Sequence, residues 1–379
     1  MVTVMQQQTI PTSGLLLVDK PQNVTSHDVV ACARHLLHTK RVGHAGTLDP
    51  MATGLLIIGF GNATRLLNYM LGHHKTYEAI IRLGEATTTD DADGEILPER
   101  ELGLGPGVAA KSQDPTFTAL FESAASETSD AFNRIKQVIH ENLVGKIKQA
   151  PTAFSAIKIN GQRAYDLARE GKTVELESRE IEISEFNVSQ PRVTKGVSGR
   201  IVCDVVATVS CSSGTYIRAL ARDLGRLLGV GGHLIKLRRT SVGNFSIDDP
   251  RVLKLIAKSH EFTDREGKLQ QRYKAVPSEN FDANTDLQHL CLTMMEAAES
   301  TLPTFKIDET QARDLRFGRW IKLTNEENSA QYPAITYVPA DNTTQCDVVA
   351  VVEPAKTNKC EQIKPIVVFP ASEKTGKLD

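Results

Sequence analysis

Asp49 sits in the run Gly43-His44-Ala45-Gly46-Thr47-Leu48-Asp49-Pro50, between a glycine-rich turn and an apolar stretch. Pro50 steers its predecessor away from helical geometry, so the loop can hold the Asp49 carboxylate out from the backbone. A carboxylate with an ordinary pKa of about 3.9 is ionised near neutral pH and can form a covalent intermediate without a metal or redox partner. Asp before Pro is a common turn residue, and the local pattern by itself favours that reading over a catalytic one. Arg218, Arg222 and Arg226 recur at i, i+4 and i+8, the spacing of one basic stripe on a helix, and Arg222 and Arg226 read as solvated members of it. Tyr77, in Lys75-Thr76-Tyr77-Glu78, reads on pattern as a strand-face residue. The cysteines Cys32, Cys203, Cys211, Cys291, Cys346 and Cys360 are scattered, with no Cys-x-x-Cys pair and no histidines at zinc-ligand spacing. They read as structural thiols in a reducing compartment, and neither a metal nor a cofactor is expected.

The elements that must position these groups are short. Leu15 to Val18 is a buried strand, and Asp19-Lys20-Pro21-Gln22-Asn23 turns the chain into Thr25-Ser26-His27-Asp28, a hydroxyl and acidic signal for a helix start. Val29, Val30, Ala33, Leu36 and Leu37 follow at helical spacing. Gly54 to Phe60 reads as a strand, Ala63 to Leu71 as a helix, and Thr76 to Leu83 as another strand. From 84 to 134 acidic residues dominate and Gly103 to Gly107 is glycine-rich, the signature of a surface excursion. Ile201 to Val209 alternates as a strand, Ser212-Ser213-Gly214 turns, and a helix runs from about Thr215 to Leu228. Lys258 to Asn284 is polar and unpatterned; a helix near Leu287 to Ala298 and strand-like runs at Val348 to Val352 and Ile366 to Phe369 follow. A small C-terminal β-rich module is expected.

The length of 379 residues leaves room for two or three domains, and 40% apolar with 24% charged residues is an ordinary globular composition. No basic segment followed by an apolar core opens the chain, and no apolar run approaches the roughly 18 residues of a membrane span, so a cytoplasmic protein without membrane contact is expected. The net charge of −2, from 44 basic and 46 acidic residues, says nothing in favour of a nucleic-acid partner, so only local clusters can. Lys236, Arg238 and Arg239 form one such cluster, and Lys158 and Arg163 another.

From Gly14 to Gly94 the chain resembles the TruB family of pseudouridine synthases. The resemblance rests on Gly14 to Pro21, Thr25 to Val30, Gly43 to Gly54, Ala63-Thr64-Arg65, Lys75-Thr76-Tyr77 and Thr89-Asp90-Asp91-Ala92-Asp93-Gly94. It continues at Pro151 to Arg169, Ser213-Gly214-Thr215-Tyr216-Ile217-Arg218 and His233 to Arg239. It implies an isomerase that converts uridine to pseudouridine at position 55 in the T loop of tRNA, with Asp49 as the covalent nucleophile. It implies that Arg218 pairs with and aims that carboxylate, that Tyr77 stacks on the target base, and that Tyr216 and Leu237 line the uridine pocket. His44 would contact RNA around the extruded nucleotide and Lys20 would buttress the substrate site. Lys158, Arg163, Lys236, Arg238 and Arg239 would touch RNA backbone; each reads equally as a solvated surface charge.

The implied fold is mixed α/β, a largely antiparallel central sheet followed by a PUA-like module. The expected division is a flexible segment 1–13, a catalytic domain 14–256 with an acidic insertion at about 84–134, a linker and helix 257–301, a PUA-like RNA-binding domain 302–371 and a tail 372–379. Asn23 stands where the family usually has glycine, and asparagine tolerates the positive φ such a turn needs. Thr152 and Phe154 replace a more usual proline and tyrosine. The expected partner is the tRNA T stem-loop, with no obligatory protein partner and a monomeric chain. Two alternatives share the motifs: a guide-RNA-dependent synthase, and a non-catalytic RNA-binding or tRNA-folding protein.

Overall fold

The structure, a computed structural model, describes residues 10–98, 126–152, 154, 158–159, 162–163, 176–264, 266–279, 281–322, 331–339, 346–355 and 362–371. Much of the acidic excursion, both termini and the side chains of Lys158 and Arg163 therefore lie outside what is described.

β1 (Gly14–Lys20) is almost wholly buried. Asn23 takes φ 70° in the turn that follows, as asparagine can in a glycine-type position. The turn delivers Thr25 as the N-cap of α1 (Ser26–Leu36): the Asp28 N–H donates to Thr25 Oγ1 at 3.1 Å, and the Thr25 N–H donates to Asp28 Oδ2 at 2.8 Å, a reciprocal capping box. β2 (Val42–His44) and β3 (Thr53–Phe60) come next. The sequence predicts one helix from Ala63 to Leu71; the chain instead makes a 3-10 turn at Gly61–Arg65 and a short α2 (Leu67–Leu71). β4 (Lys75–Leu83) alternates buried and less buried positions. After it come α3 (Asp130–Asn142), β5 (Gly145–Gln149), the two-residue strands β6 (Lys158–Ile159) and β7 (Gln162–Arg163), β8 (Arg179–Lys195), β9 (Ile201–Cys211), α4 (Ile217–Leu228), β10 (Gly232–Val242) and β11 (Phe245–Ser246). The remainder comprises β12 (Leu253–Thr263), β13 (Leu269–Pro277), α5 (Ala283–Leu290), β14 (Cys291–Thr293), α6 (Met294–Glu299), β15 (Thr304–Lys306), α7 (Glu309–Arg316), β16 (Ile321–Lys322), β17 (Ala334–Val338), β18 (Asp347–Pro354) and β19 (Gln362–Val368).

The chain divides into two compact units. One, formed by Asp49–Leu55 and Gly72–Ser246, is built on the strand order β10-β4-β9-β8-β5, with every neighbouring pair antiparallel. Thr53 and Gly54 of β3 join it parallel to Arg238 and Arg239 of β10. α4 lies on β10, and Gly225 lets them meet, because a Cβ there would stand 2.1 Å from the Gly232 nitrogen. Mixed α/β with a largely antiparallel sheet is the architecture the sequence predicts.

The other unit is formed by Met1–Leu48, Leu56–Leu71 and Ile247–Asp379. Within it β1 pairs parallel with β12 and antiparallel with β14. The helix predicted from Leu287 to Ala298 is interrupted, because Leu292 must pair with Leu15 and Thr293 then caps α6 through a capping box with Glu296. The C-terminal β-rich module is present as a five-stranded sheet, β15-β17-β18-β19-β16, whose core gathers Ile307, Ala312, Leu315, Val349 and Ile363. Much of the unpatterned stretch from Lys258 forms the β12–β13 hairpin. Only its base is covered, at Leu253, Leu255 and Ala275, so the rest carries no apolar alternation for a sequence reading to detect. No helix among the described residues is long and apolar enough to cross a membrane.

Candidate active site

The Asp49 loop is anchored one residue upstream. Ser26 Oγ accepts from the Leu48 N–H at 2.9 Å and donates to the Leu48 carbonyl at 3.0 Å, and the Ala52 N–H closes a turn on the Asp49 carbonyl at 3.1 Å. Gly54 takes φ +102°, and a Cβ there would stand 2.3 Å from the Arg239 carbonyl oxygen, so glycine is what permits β3 to reach β10 directly after the loop. The Asp49 side chain keeps 39% of its surface exposed, enough to meet a substrate.

α4 supplies the facing arginine. Gln149 at the end of β5 accepts from the Tyr216 N–H at 2.9 Å and donates from its amide to the Tyr216 carbonyl at 3.1 Å, clamping the residue before the helix. Arg218 is then 5% exposed and fixed on every side. Its Nη1 donates to the Thr89 carbonyl at 3.0 Å and lies 3.2 Å from Asp91 Oδ2; its Nη2 donates to the Phe154 carbonyl at 2.9 Å. Its Nε stands 3.0 Å from Asp49 Oδ2, a charge contact in which the N–H is not aligned for a hydrogen bond. One guanidinium thus faces two carboxylates of opposite character: Asp91 is 6% exposed and accepts from the Asp93 N–H at 3.1 Å, whereas Asp49 is open. Asp91 lies against the buried guanidinium, which a low-dielectric site demands, and Asp49 remains the accessible carboxylate. The sequence reading names Thr89 to Gly94 as a motif without assigning Asp91; only the fold brings it to Arg218.

Arg222 corrects the expectation of a solvated stripe. It is 12% exposed; Nη1 donates to Asp90 Oδ2 at 3.2 Å, Nη2 to the Ala150 carbonyl at 2.7 Å and Nε to Asp223 Oδ1 at 2.9 Å. Asp90 sits at φ 61°, and burial pushes its carboxyl pKa up against the opposing pull of Arg222. A helical repeat of three arginines thus has two buried members, because the Thr89–Asp91 turn and the end of β5 cover that face. Arg226, 42% exposed, is the stripe residue the sequence predicts.

Tyr77 is 7% exposed, stands opposite Arg239 across the β4–β10 pair, and its hydroxyl hydrogen-bonds with that arginine. Burial raises the phenol's pKa, Arg239 opposes the rise, and the Asp49 charge adds to it. Arg239 itself is 1% exposed and donates from Nε to the Leu55 carbonyl at 2.8 Å. This corrects its grouping with the RNA-contacting cations: neighbouring strand residues point to opposite faces, so Arg238 and Arg239 cannot share a surface. Lys236 is exposed and Arg238 half-buried, while Leu237 is buried beside Ala79 of β4. Burial lowers the Lys75 ammonium to about 8, helped by nearby Arg239.

The remaining expected residues lie elsewhere in the chain. Lys20, in the first-described strand, is fully buried and its Nζ donates to the Pro21 carbonyl at 3.0 Å and the Val24 carbonyl at 2.7 Å. That corrects any reading of it as a direct substrate contact; it braces a turn. His44, on β2, meets His27 edge to face with ring centres 5.9 Å apart. Lys158 and Arg163 pair across the β6–β7 hairpin.

A part-exposed carboxylate held 3.0 Å from a buried arginine, beside a buried tyrosine, is a site for covalent chemistry on a planar base. The fold is that of pseudouridine synthases: the chain is similar to "Crystal Structure of a Cbf5-Nop10-Gar1 Complex" with a TM-score of 0.54, at 22% identity over 95% of this chain and 85% of that one. It is also similar to "Structure of H/ACA RNP bound to a substrate RNA containing 2'-deoxyuridine", TM-score 0.54, 20% identity, over 94% and 85%. The family model described as TruB family pseudouridylate synthase (N terminal domain) matches residues 34–104 and 104–217, and that described as tRNA pseudouridylate synthase B C-terminal domain matches 218–274. Proteins named tRNA pseudouridine synthase B are similar along nearly the whole length: 45% identity to that of Bifidobacterium longum (strain DJO10A), over 94% of this chain and 98% of its relative, and 40% to that of Arthrobacter sp. (strain FB24), over 96% and 99%. The chain belongs to the TruB family of pseudouridylate synthases, enzymes that isomerise uridine to pseudouridine.

Proposed function

We propose that the chain converts the uridine at position 55 in the T loop of tRNA to pseudouridine through a covalent intermediate on Asp49. As the N1–C1′ bond of the nucleoside breaks, an Asp49 carboxylate oxygen bonds to C1′; the base turns, and C5 then displaces the carboxylate as the C5–C1′ bond forms. N1 gains a proton and C5 loses one, so the product is an isomer and no redox partner enters. Asp49 holds the nucleoside while the base turns, Arg218 holds the carboxylate in place and aims it, and Tyr77 offers a flat surface on which the base rotates. Leu237 and Tyr216 line the pocket, and His44 holds the opened loop. Lys158, Arg163, Lys236 and Arg238 neutralise phosphate, and the C-terminal β-rich module acts as a PUA-like RNA-binding domain. The enzyme works in the cytoplasm as a monomer without an obligatory protein partner.

The observation that carries this reading is the 3.0 Å approach of buried Arg218 to the half-exposed Asp49 carboxylate. The near full-length similarity, at 40–45% identity, to proteins named tRNA pseudouridine synthase B, against 20–22% identity to the Cbf5 and H/ACA RNP structures, supports tRNA as the substrate. Mapping pseudouridine in tRNA from cells lacking the chain tests it: the T-loop modification disappears and returns on complementation, whereas an intact T loop in the deletion strain removes the substrate assignment.

A further inference from the structure

β12 and β13 pair from Leu255 opposite Pro277 to Thr263 opposite Leu269. Side chains alternate between the two faces of such a ribbon. One face holds the buried Leu253, Leu255 and Ala275, on the side where β13 packs with α1. The other carries Lys254, Ile256, Lys258, His260 and Phe262 from β12 and Gln270, Arg272, Lys274 and Val276 from β13. Lys254, Lys258, Arg272 and Lys274 are exposed, and no acidic residue within β12 or β13 shares their face, although Asp264 at the turn accepts from Gln270 at 3.0 Å. Among the described residues none of the four enters an ion pair.

The register makes this arrangement unfavourable by itself. Lys258 stands directly opposite Lys274; like charges in directly opposed positions repel. Arg272 lies 4.6 Å over the Phe262 ring, which restrains the side chain and leaves a guanidinium edge to meet an anion. At about 3.3 Å per residue and about 4.8 Å between strands, the basic ribbon from Lys254 to His260 is about 20 Å long and two side chains wide. Those are the dimensions of a track for a narrow polyanion. The chain as a whole has a net charge of −2, so affinity for a nucleic acid has to come from concentrated local cations of this kind.

We propose that the exposed face of the β12–β13 hairpin docks the sugar–phosphate backbone of the substrate tRNA. The proposal rests on tRNA being the substrate. The test measures the affinity of the full chain for a whole unmodified tRNA transcript as a function of salt, in the parent and in Lys258→Gln/Arg272→Gln/Lys274→Gln. The variant binds tenfold or more weakly at fixed salt, and its log Kd against log salt is shallower by roughly three contacts. Its kcat at saturating tRNA stays at the parent value, since none of the three belongs to the catalytic machinery. Lys258→Arg/Lys274→Arg, which keeps the charge, binds as the parent does. Should the triple variant melt early, Lys258→Gln/Lys274→Gln, which removes only mutually repelling charges, carries the same comparison with a slope change of roughly two. An unchanged Kd and salt slope in the neutral variants overturns the proposal and leaves the ribbon to an acidic protein partner. Failure of the parent to modify tRNA overturns the substrate reading instead, while the affinity comparison still decides for or against the hairpin.

Discussion

Arg218 meets four groups at once: the Asp49 and Asp91 carboxylates and the Thr89 and Phe154 carbonyls. A lysine has one compact charge where arginine has a planar fork. Arg218→Lys therefore keeps a cation but loses the geometry, and kcat for pseudouridine formation falls about 100-fold with the Kd for tRNA little changed; single-turnover rates at saturating enzyme read this. Tyr77→Phe keeps the ring and removes the hydroxyl that Arg239 bonds. The buried guanidinium is left short of a partner, costing about 1 to 3 kcal/mol in urea unfolding. Asp49 and Tyr77 were legible in sequence because each lies inside a contiguous motif. Asp91 as the second partner of Arg218 was not, since 127 positions of chain separate the two and only the β-sheet and α4 bring them together. Arg239 was misread because a run of cations on a strand looks like a cluster but alternates inside and outside.

Elements, not loops alone, set the precision of the site. α4 is pinned at its start by Gln149 and one turn later by Arg222, which ties Asp90 and the Ala150 carbonyl together. Arg222→Met strands a buried carboxylate and lowers stability by about 3 kcal/mol, and the added change Asp90→Asn recovers part of the loss, as a double-mutant cycle will register. At the head of β10, His233 is 3% exposed and its Nδ1 lies 3.1 Å from the Glu85 carbonyl. Burial holds its pKa below the ordinary 6.5, so the native protein keeps the ring neutral while the unfolded chain takes up a proton. The resulting stability is full above pH 6.5 and is lost as pH falls through 6.5 toward the lower folded value. Unfolding titrations across that window detect the slope, and His233→Gln flattens it. Strand and helix starts were readable where local chemistry dictates them, as at the Thr25–Asp28 capping box and the positive φ of Asn23. The β12–β13 hairpin was not, because its polar faces give no periodic signal, and the break at β14 depends on pairing with a strand some 275 residues earlier in the chain.

For the whole molecule, the arrangement accounts for how a chain with no net positive charge can act on RNA. The Asp49 carboxylate and Arg218 are assembled within one compact unit, from the Asp49 loop, the Thr89–Asp91 turn and α4. Under the proposed function, recognition of the RNA is distributed over local cations. The central claim is that Asp49 is the covalent nucleophile, and the most direct measurement is the yield of pseudouridine at each position of a tRNA transcript incubated with the purified chain or with Asp49→Asn. The parent converts a single T-loop uridine, and Asp49→Asn converts none while binding the transcript with the parent's affinity. Conversion by Asp49→Asn at the parent's rate contradicts the account.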